Sequence, residues 1–430
     1  MTSELTTPGP MVPPVETTGA GRLRRTRLER LREARVRDAT EIRRPALPEP
    51  RSDRAERLAA DVGGTVLQTD AEPIVVVESR EPLARELDGL RALPDPVDPA
   101  RPFVLFDTET TGLGSGTGTL PFLVGIGRWE GESFVTRQLL LPEQSDEDGY
   151  LQALSQLIPH DACLVSYNGR SFDWPLLVTR YRLHGRQPPP FAEHLDLLPL
   201  ARAIWKHRLP DARLASVETS ICGVVREHDL PGGLVPSRYL DYLRSGHGGL
   251  LRDVLEHNRQ DVVSMALLLL VLARDLAPVA STGRSPTAVH PGDLGGLGRA
   301  YARRRRHAEA LACFDAAMER LHEPWETQRY ESIAMDRART LTRMGLREEA
   351  EGAWHAVALE GGRHAAWAWL HVAKHREHDA RDFQAALRAT DRARVLAERG
   401  RLYGRRDRHV ERDLARRVPR LRRRLAQDAA

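Results

Sequence analysis

Two carboxylates interrupt an apolar run, LFDTETTGL at residues 105–113, whose composition otherwise indicates a buried strand. Because successive side chains of a strand point to opposite faces, Asp107 and Glu109 would project to the same side. Like charges placed this close repel each other, and the repulsion raises the pKa of one carboxyl group unless a cation lies between them. Carboxylate oxygens suit Mg²⁺ or Mn²⁺. The alternative is an acidic strand end that faces water.

Two further segments place acids on predicted helices. In SYNGRSFDWPLL, residues 166–177, an apolar strand leads through Asn168 to a helix with Asp173 in its first turn. An acid in that position also suits the helix dipole, so Asp173 has a purely structural alternative. In EHNRQDVVSMALLLLVLA, residues 256–273, His257 and Asp261 stand four residues apart on one helix face. An acid that opens a buried helix needs a partner, and a shared metal would supply one.

Three motifs in this order resemble those of a known superfamily. The strand motif D-x-E-T-T-G-L, the N-x3-F-D of 168–173 and the H-x3-D of 257–261 resemble the exonuclease motifs of the DEDD, or DnaQ-like, ribonuclease H-like superfamily. More closely, residues 103–277 joined to a helical tail resemble the YprB-type ribonuclease H-like domain proteins of bacteria. The resemblance implies a 3′–5′ exonuclease that acts on single-stranded RNA or DNA ends through two Mg²⁺ or Mn²⁺ ions. The implied metal ligands are Asp107, Glu109, Asp173 and Asp261.

The same resemblance implies further roles around the metal ligands. His257 would be the general base or would orient the attacking water. Its four-residue spacing to Asp261 belongs to the tyrosine subtype of the superfamily, which leaves the role of His257 open. Asp196, in HLDLLPL, is expected to cap a helix, with support of the site as the alternative. The residues expected to meet or border the terminal nucleotide are Thr110, Gly112, Leu113 and Asn168.

The pattern around the motifs predicts an α/β ribonuclease H-like domain over residues 103–277. Three strands in succession, followed by alternating strand and helix, fit a mixed sheet flanked by helices. The glycines of GLGSGTGT, residues 112–119, match no phosphate-binding spacing and are interpreted as a turn. The predicted strands are FVLFDTE, LPFLVGIGRW, SFVTRQLLL and ACLVSYN. The predicted helices cover residues 146–158, 172–184, 197–206, 214–222 and 249–277.

Residues 291–426 are predicted to form an all-α, tetratricopeptide-like domain. The offsets of Leu297, Gly298, Tyr301, Ala310, Phe314 and Ala317 match such a repeat. A second copy has Leu341, Ala350 and Trp354 at the corresponding places, and DARDFQAALRATDRA is a weaker third. Stacked helix pairs of this kind would form a small solenoid that recruits a protein partner, with the basic helix at 407–426 as its cap.

The flanking segments are predicted to be linkers or disordered. Residues 1–60 combine Pro, Thr and Gly with charges, a composition that buries too little apolar surface to fold. Residues 21–45 hold ten Arg against four acids, an excess of 10 − 4 = +6, and could bind phosphates or form a solvated helix. Residues 61–102 are expected to be a lead-in with two short strand signals, and 278–290 a linker.

Composition excludes several other classes of protein. The three cysteines lack any CxxC spacing, which argues against a disulfide framework or a zinc site. The longest apolar run, MALLLLVLA, is too short to span a bilayer, and the first residues do not resemble a secretory signal. We therefore expect a soluble, cytoplasmic protein with no membrane contact. Two alternatives to the exonuclease stay open: a structure-specific endonuclease or RNA-processing nuclease, and a scaffold that binds nucleic acid or protein without catalysis.

Overall fold

The computed structural model describes residues 50–112, 116–227, 230–282, 289–321 and 327–428. The basic stretch 21–45 lies outside these ranges, so its expected disorder or helix stays a prediction. Residues 51–60, also expected to be disordered, belong to a helix. The helices are α1 (Arg51–Val62), α2 (Glu147–Leu157), α3 (Asp173–Leu183), α4 (Leu197–Trp205), α5 (Leu214–Val217), α6 (Val235–Ser245), α7 (Arg252–Val271), α8 (Ala277–Thr282), α9 (Pro291–Arg303), α10 (His307–Met318), α11 (Thr327–Met344), α12 (Arg347–Leu359), α13 (Ala365–His378), α14 (Phe383–Leu402) and α15 (Arg408–Asp428).

Seven strands form one mixed sheet in the order β1-β2-β5-β4-β3-β6-β7. Its first five strands in that order pair antiparallel, whereas β6 and β7 run parallel to β3. The β4–β5 hairpin turns through Gly131, whose φ of 62° suits a residue without a side chain. The strands are β1 (Thr65–Leu67), β2 (Ile74–Glu81), β3 (Phe103–Thr110), β4 (Pro121–Glu130), β5 (Ser133–Leu140), β6 (Cys163–Ser166) and β7 (Glu193–Asp196).

The predicted elements of the α/β domain are confirmed, with three additions, one of which is helix α6. The four predicted strands correspond to β3, β4, β5 and β6, and the predicted helices to α2, α3, α4, α5 and α7. The segment 61–102 is more than a lead-in, because β1 and β2 extend the same sheet through the pairing of β2 with β5. Strand β7 was not predicted, since its four residues, EHLD, include only one apolar side chain.

Helix α7 lies against the sheet and contacts β3, β4 and β5. Its buried residues include Val262, Met265 and Leu269, which share a cluster with the strand residues Leu105 and Val165. By length and hydropathy alone, the helical run Gly248–Val279 could cross a membrane, but 61% of its most apolar stretch is buried within the protein. A core helix of a folded domain can be equally long and apolar, so these two properties are weak evidence for a membrane span.

The C-terminal part of the described chain is all-helical, as predicted. Helices α9 to α15 pack on their neighbours in succession. Helix α9 also lies directly on α4: a Cβ added at Gly296 would come within 2.5 Å of the Ala203 carbonyl oxygen. The assignment of these helices to the tetratricopeptide class stays a prediction. The repeat positions that are buried are Leu297, Tyr301, Ala310, Phe314, Ala317, Leu341, Ala350 and Trp354.

Candidate active site

Three elements bring the four predicted ligands together at the centre of the sheet. Strand β3 carries Asp107 and Glu109, helix α3 begins at Asp173 directly after β6, and helix α7 carries Asp261 where it crosses β3. The carboxylates are close enough to interact electrostatically, because the charges of Asp261, Glu109 and Asp173 all raise the pKa of Asp107. We call these four residues the carboxylate quartet.

Burial is the main cause of the raised pKa values of Asp107, Asp173 and Asp261. It raises the pKa of Asp107 well above the ordinary value, and the neighbouring carboxylates raise it further. Burial also raises the pKa of Asp173 to about 6, against the lowering effect of its hydrogen bond from Thr108. The pKa of Asp261 is raised by burial too, although Arg226 and His257 oppose the shift. The metal-free site therefore carries negative charge at a cost that a bound cation would remove.

A buried amide relay fixes Asp107. The Asn258 side chain donates from Nδ2 to Asp107 Oδ2 at 2.9 Å and to the Asp107 carbonyl oxygen at 3.2 Å. Its Oδ1 accepts from Gln138 Nε2 at 2.9 Å, and Gln138 also donates to the Leu255 carbonyl oxygen at 2.7 Å. Gly125, which pairs with Asp107 in the sheet, leaves the necessary room, since a Cβ there would lie 2.2 Å from Asn258 Oδ1.

The turn between β6 and α3 fixes Asp173. Asn168 has a φ of 73°, a left-handed conformation that Asn tolerates better than most residues, and its backbone N–H donates to Asp196 Oδ1 at 2.8 Å. The Thr108 hydroxyl on β3 donates to Asp173 Oδ1. Asp196 caps α4 by accepting from the Leu198 N–H at 3.1 Å, which confirms the predicted cap. Its charge also raises the pKa of Asp173, so it acts on the site as well.

A buried ion pair holds Asp261. Arg226 donates from Nη2 to Asp261 Oδ1 and binds Glu218 through Nε and Nη2, at 2.9 and 2.7 Å. The Glu218 side chain is 1% exposed and also accepts from the Ser264 hydroxyl at 2.6 Å. The Arg226 side chain is 6% exposed. Because Arg226 takes Oδ1 of Asp261, this oxygen is already occupied by a protein cation.

His257 lies between two quartet members and the guanidinium group. Its Nε2 is 3.9 Å from both Glu109 Oε1 and Asp261 Oδ2, and its Nδ1 is 3.4 Å from Arg226 Nη1. A guanidinium N–H can only donate, so this contact favours the tautomer with the proton on Nε2. In that tautomer His257 is a donor towards Glu109 and Asp261. Its predicted role as a general base stays a prediction.

The predicted substrate residues border the same edge of the sheet. Thr110 ends β3, and its hydroxyl donates to the Gly112 carbonyl oxygen at 2.6 Å. Asn168 is exposed beside Asp173. Leu113 lies outside the described residues. The structure thus brings Thr110, Gly112 and Asn168 to the ends of β3 and β6, and their contact with a nucleotide stays a prediction.

The quartet fits hard divalent cations, because four carboxylates converge and burial raises the pKa of three of them, Asp107, Asp173 and Asp261. Each of three carboxylates is also held by a protein donor: Asn258 on Asp107, Thr108 on Asp173 and Arg226 on Asp261.

A second group could hold a metal ion by geometry alone. Ligand atoms of His207, His290 and Asp293 lie within 4.8 Å of one another. However, both oxygens of Asp293 already accept from Arg208, at 2.9 and 2.6 Å. His207 Nε2 also contacts Asp293 Oδ1 at 2.8 Å. The group thus joins the end of α4 to the start of α9 as an ion-pair cluster.

Comparison with known proteins agrees with the fold. Residues 104–273 match the family model described as RNase_H superfamily. This segment is a ribonuclease H-like domain. "Uncharacterized protein YprB" of Bacillus subtilis (strain 168) is 28% identical over 291 residues, which are 67% of this chain and 68% of that protein. A solved structure described as "The structure of exonuclease I suggests how processivity is achieved" is 15% identical, with a TM-score of 0.29 over 45% of each chain. A TM-score of 0.29 is too low to support a functional conclusion. The match of residues 104–273 to the RNase_H superfamily supports a nuclease.

Sequence reasoning missed the residues that support the quartet. Asn258 had a detectable signal, since a polar residue next to His257 on a largely apolar helix is expected to need a buried partner. Gly125 stands between apolar residues of its strand and Gln138 follows Arg137, so neither gave such a signal. Glu218 lies in the predicted helix 214–222 and Arg226 beyond it, and both are 35 residues or more before Asp261. Only the three-dimensional structure brings them to the site.

Proposed function

We propose that this protein is a metal-dependent nuclease that hydrolyses phosphodiester bonds from the 3′ end of single-stranded RNA or DNA. The observation that carries the proposal is the convergence of Asp107, Glu109, Asp173 and Asp261 in a ribonuclease H-like domain, with burial raising the pKa of three of them. Burial and mutual repulsion make the ionised form of these carboxylates costly, and added positive charge would lower that cost. Mg²⁺ or Mn²⁺, as one ion or two, supplies it.

When bound, such ions would activate the attacking water and stabilise the leaving 3′ oxygen. The protein's own groups set the orientation of the ligands. Asn258 fixes Asp107, the Thr108 hydroxyl fixes Asp173, and Arg226 holds one oxygen of Asp261 so that Oδ2 faces His257. His257 can then donate from Nε2 towards a phosphate or water between Glu109 and Asp261. Fixed groups of this kind lower the reorganisation needed during the reaction.

The proposed substrate is nucleic acid, and the proposed location is the cytoplasm. The sequence also predicts a protein partner for the C-terminal helices, but no feature of the described residues supports one. An endonuclease or RNA-processing nuclease would use the same carboxylates, and only the access of the substrate would distinguish it.

Digestion of single-stranded oligonucleotides tests the proposal. RNA and DNA of equal sequence, labelled at the 5′ end, would be incubated with the full chain in Mg²⁺ or Mn²⁺, beside circular versions without ends. We expect a ladder of products shortened from the 3′ end, uncut circles, and loss of activity in Asp107→Ala. Asp253→Ala, an exposed acid on the same helix as Asp261, is the matched control and should retain activity.

The alternatives give different results in the same experiment. Cleavage of the circles would indicate an endonuclease. Absence of metal-dependent cleavage of either nucleic acid, or full activity of Asp107→Ala, would contradict the proposal and favour the scaffold.

A further inference from the structure

The C-terminal helices form a concave surface, which is lined by residues that follow the ribonuclease H-like domain in the sequence. Residues of α11, α13, α14 and α15, with the α12–α13 and α14–α15 loops, line a cavity of about 640 Å³. We call it the C-terminal cavity. Its lining includes four guanidinium groups and two aromatic rings, those of Arg339, Arg363, Trp367, Arg399, Tyr403 and Arg405.

The charge around this cavity is strongly one-sided. Residues 383–428, which contain α14 and α15, hold 15 Arg and 6 acids, a net 15 − 6 = +9. The whole chain has a formal net charge of +4, so the remaining residues sum to 4 − 9 = −5. A positive region of this kind attracts polyanions at long range. The stretch 21–45 carries a further excess of +6, so the residues outside these two segments sum to −5 − 6 = −11.

Three of the lining arginines are not neutralised by any residue that the structure describes. Among the described residues, Arg363, Arg399 and Arg405 are exposed and form no ion pair with a carboxylate. Asp407, the acid in the same lining, instead caps α15 by accepting from the N–H groups of His409 and Val410, at 2.9 and 3.1 Å. The cavity thus presents guanidinium donors to a ligand from outside the chain.

Aromatic groups stand beside these donors. Tyr403 lines the cavity and is 68% exposed, so its ring is accessible to a ligand. The Trp367 ring also lines the cavity and carries the Arg339 guanidinium 4.8 Å from its centre. An acidic peptide would use the arginines but has no need of exposed rings. A single nucleic-acid strand uses both, since its phosphates bind guanidinium groups and its bases stack on aromatic faces.

We infer that the C-terminal cavity binds single-stranded nucleic acid, with phosphates on Arg363, Arg399 and Arg405 and a base against Tyr403. The choice of nucleic acid over peptide rests in part on the proposed nuclease function. The cavity lies outside the carboxylate quartet, so binding here would hold a strand without cleaving it. Such a site would keep a substrate near the enzyme between successive cuts.

Binding without cleavage tests the inference on the full chain. The anisotropy of a fluorescent single-stranded oligonucleotide would be titrated in EDTA at several salt concentrations, for wild type and Arg363→Ala/Arg399→Ala/Arg405→Ala. Each phosphate contact on a single strand contributes a slope of about −0.7 to log K against log salt. We expect the triple variant to flatten the slope by about 2 and to weaken binding at least 10-fold.

A matched triple variant separates a specific site from net charge. Arg182→Ala/Arg213→Ala/Arg303→Ala removes three exposed arginines outside the cavity and changes the charge equally. It should weaken binding less than about 3-fold. Tyr403→Ala should weaken oligonucleotide binding about 5-fold or more with an unchanged salt slope, because stacking releases no counterions.

Several outcomes would overturn the inference. Equal losses in the two triple variants would show a general charge effect, and unchanged binding in the cavity variant would remove the site. Loss of binding to a fluorescent polyglutamate peptide, with oligonucleotide binding intact, would assign the cavity to acidic peptides. The binding assay contains no metal and requires no cleavage, so a failed nuclease assay would not change its result. A failed binding assay would likewise leave the result of the nuclease assay unchanged.

Discussion

Replacement of Asp173 by Asn should stabilise the metal-free protein while abolishing its nuclease activity. Asn has nearly the same shape and can still accept the hydrogen bond from the Thr108 hydroxyl. It removes only the buried charge. The pKa of Asp173 is raised from 3.8 to about 6, chiefly by burial. A shift of about two units corresponds to about 3 kcal/mol, which is an upper estimate because the other carboxylates interact with this group.

The sign of the pH dependence follows from the direction of the shift. A carboxyl group whose folded pKa is raised binds its proton more tightly in the folded state than in the unfolded state. Below the unfolded pKa of 3.8 both states are protonated, and the charge costs nothing. The cost grows as the pH rises from 3.8 to about 6, and above that it is complete. The advantage of Asp173→Asn should therefore be absent near pH 4 and greatest near pH 8.

Denaturant unfolding in EDTA at these two pH values measures the effect. We expect Asp173→Asn to have a free energy of unfolding higher than wild type by up to about 3 kcal/mol at pH 8. With millimolar Mn²⁺ the difference should shrink or reverse, because only wild type gains full stabilisation from the bound ion. The exposed Asp253→Asn serves as the control and should change stability little at either pH.

One result would refute this reasoning. If wild type and Asp173→Asn unfolded at the same denaturant concentration in EDTA at pH 8, the charge of Asp173 would cost the folded state nothing. The argument that the quartet needs a cation would then lose its energetic basis.

Two other substitutions test the groups around the quartet. Arg226→Gln should lower the free energy of unfolding by about 3 to 5 kcal/mol, because it leaves the buried Glu218 without a cation, and the double variant with Glu218→Gln should recover part of the loss in the same denaturation assay. Equal stability of wild type and Arg226→Gln would contradict the buried ion pair. Gly125→Ala should cost about 1 to 3 kcal/mol and reduce nuclease activity, because its Cβ would displace Asn258 from Asp107. Unchanged stability and activity would show that the Asn258 relay is not needed.

The ligand positions could be predicted from sequence because their spacing reflects local geometry. Asp107 and Glu109 share a strand face through the two-residue period, and His257 and Asp261 share a helix face through the four-residue turn. The same local rules placed the four principal strands and five helices of the α/β domain, but they missed α1 and α6. They also identified Asp196 as a helix cap.

Features that depend on distant pairing could not be predicted in this way. The strand signals of β1 and β2 were visible, but β2 joins the sheet through β5, whose partner residues lie roughly 50 to 65 positions away, for example Val75 opposite Leu140. Strand β7 pairs parallel to β6 and is too short to show a pattern. Arg226 reaches the site from a loop where no periodic signal exists. Its position depends on the ion pair with Glu218, and the sequence does not show that this carboxylate is buried.

Three carboxylates of the quartet are held by protein donors, and these donors are of two kinds. Asp107 and Asp173 are held by neutral groups, an amide and a hydroxyl, which leave their negative charge available to a cation. Asp261 is held by Arg226, whose positive charge is shared with Glu218, partly compensates Asp261 and repels a further cation nearby. Glu218 fixes Arg226 through two hydrogen bonds. If the guanidinium group moved away, the buried Glu218 carboxylate would be left without a cation. Asp107 and Asp173 should therefore bind metal more strongly than Asp261, which contributes through the oxygen that Arg226 leaves open.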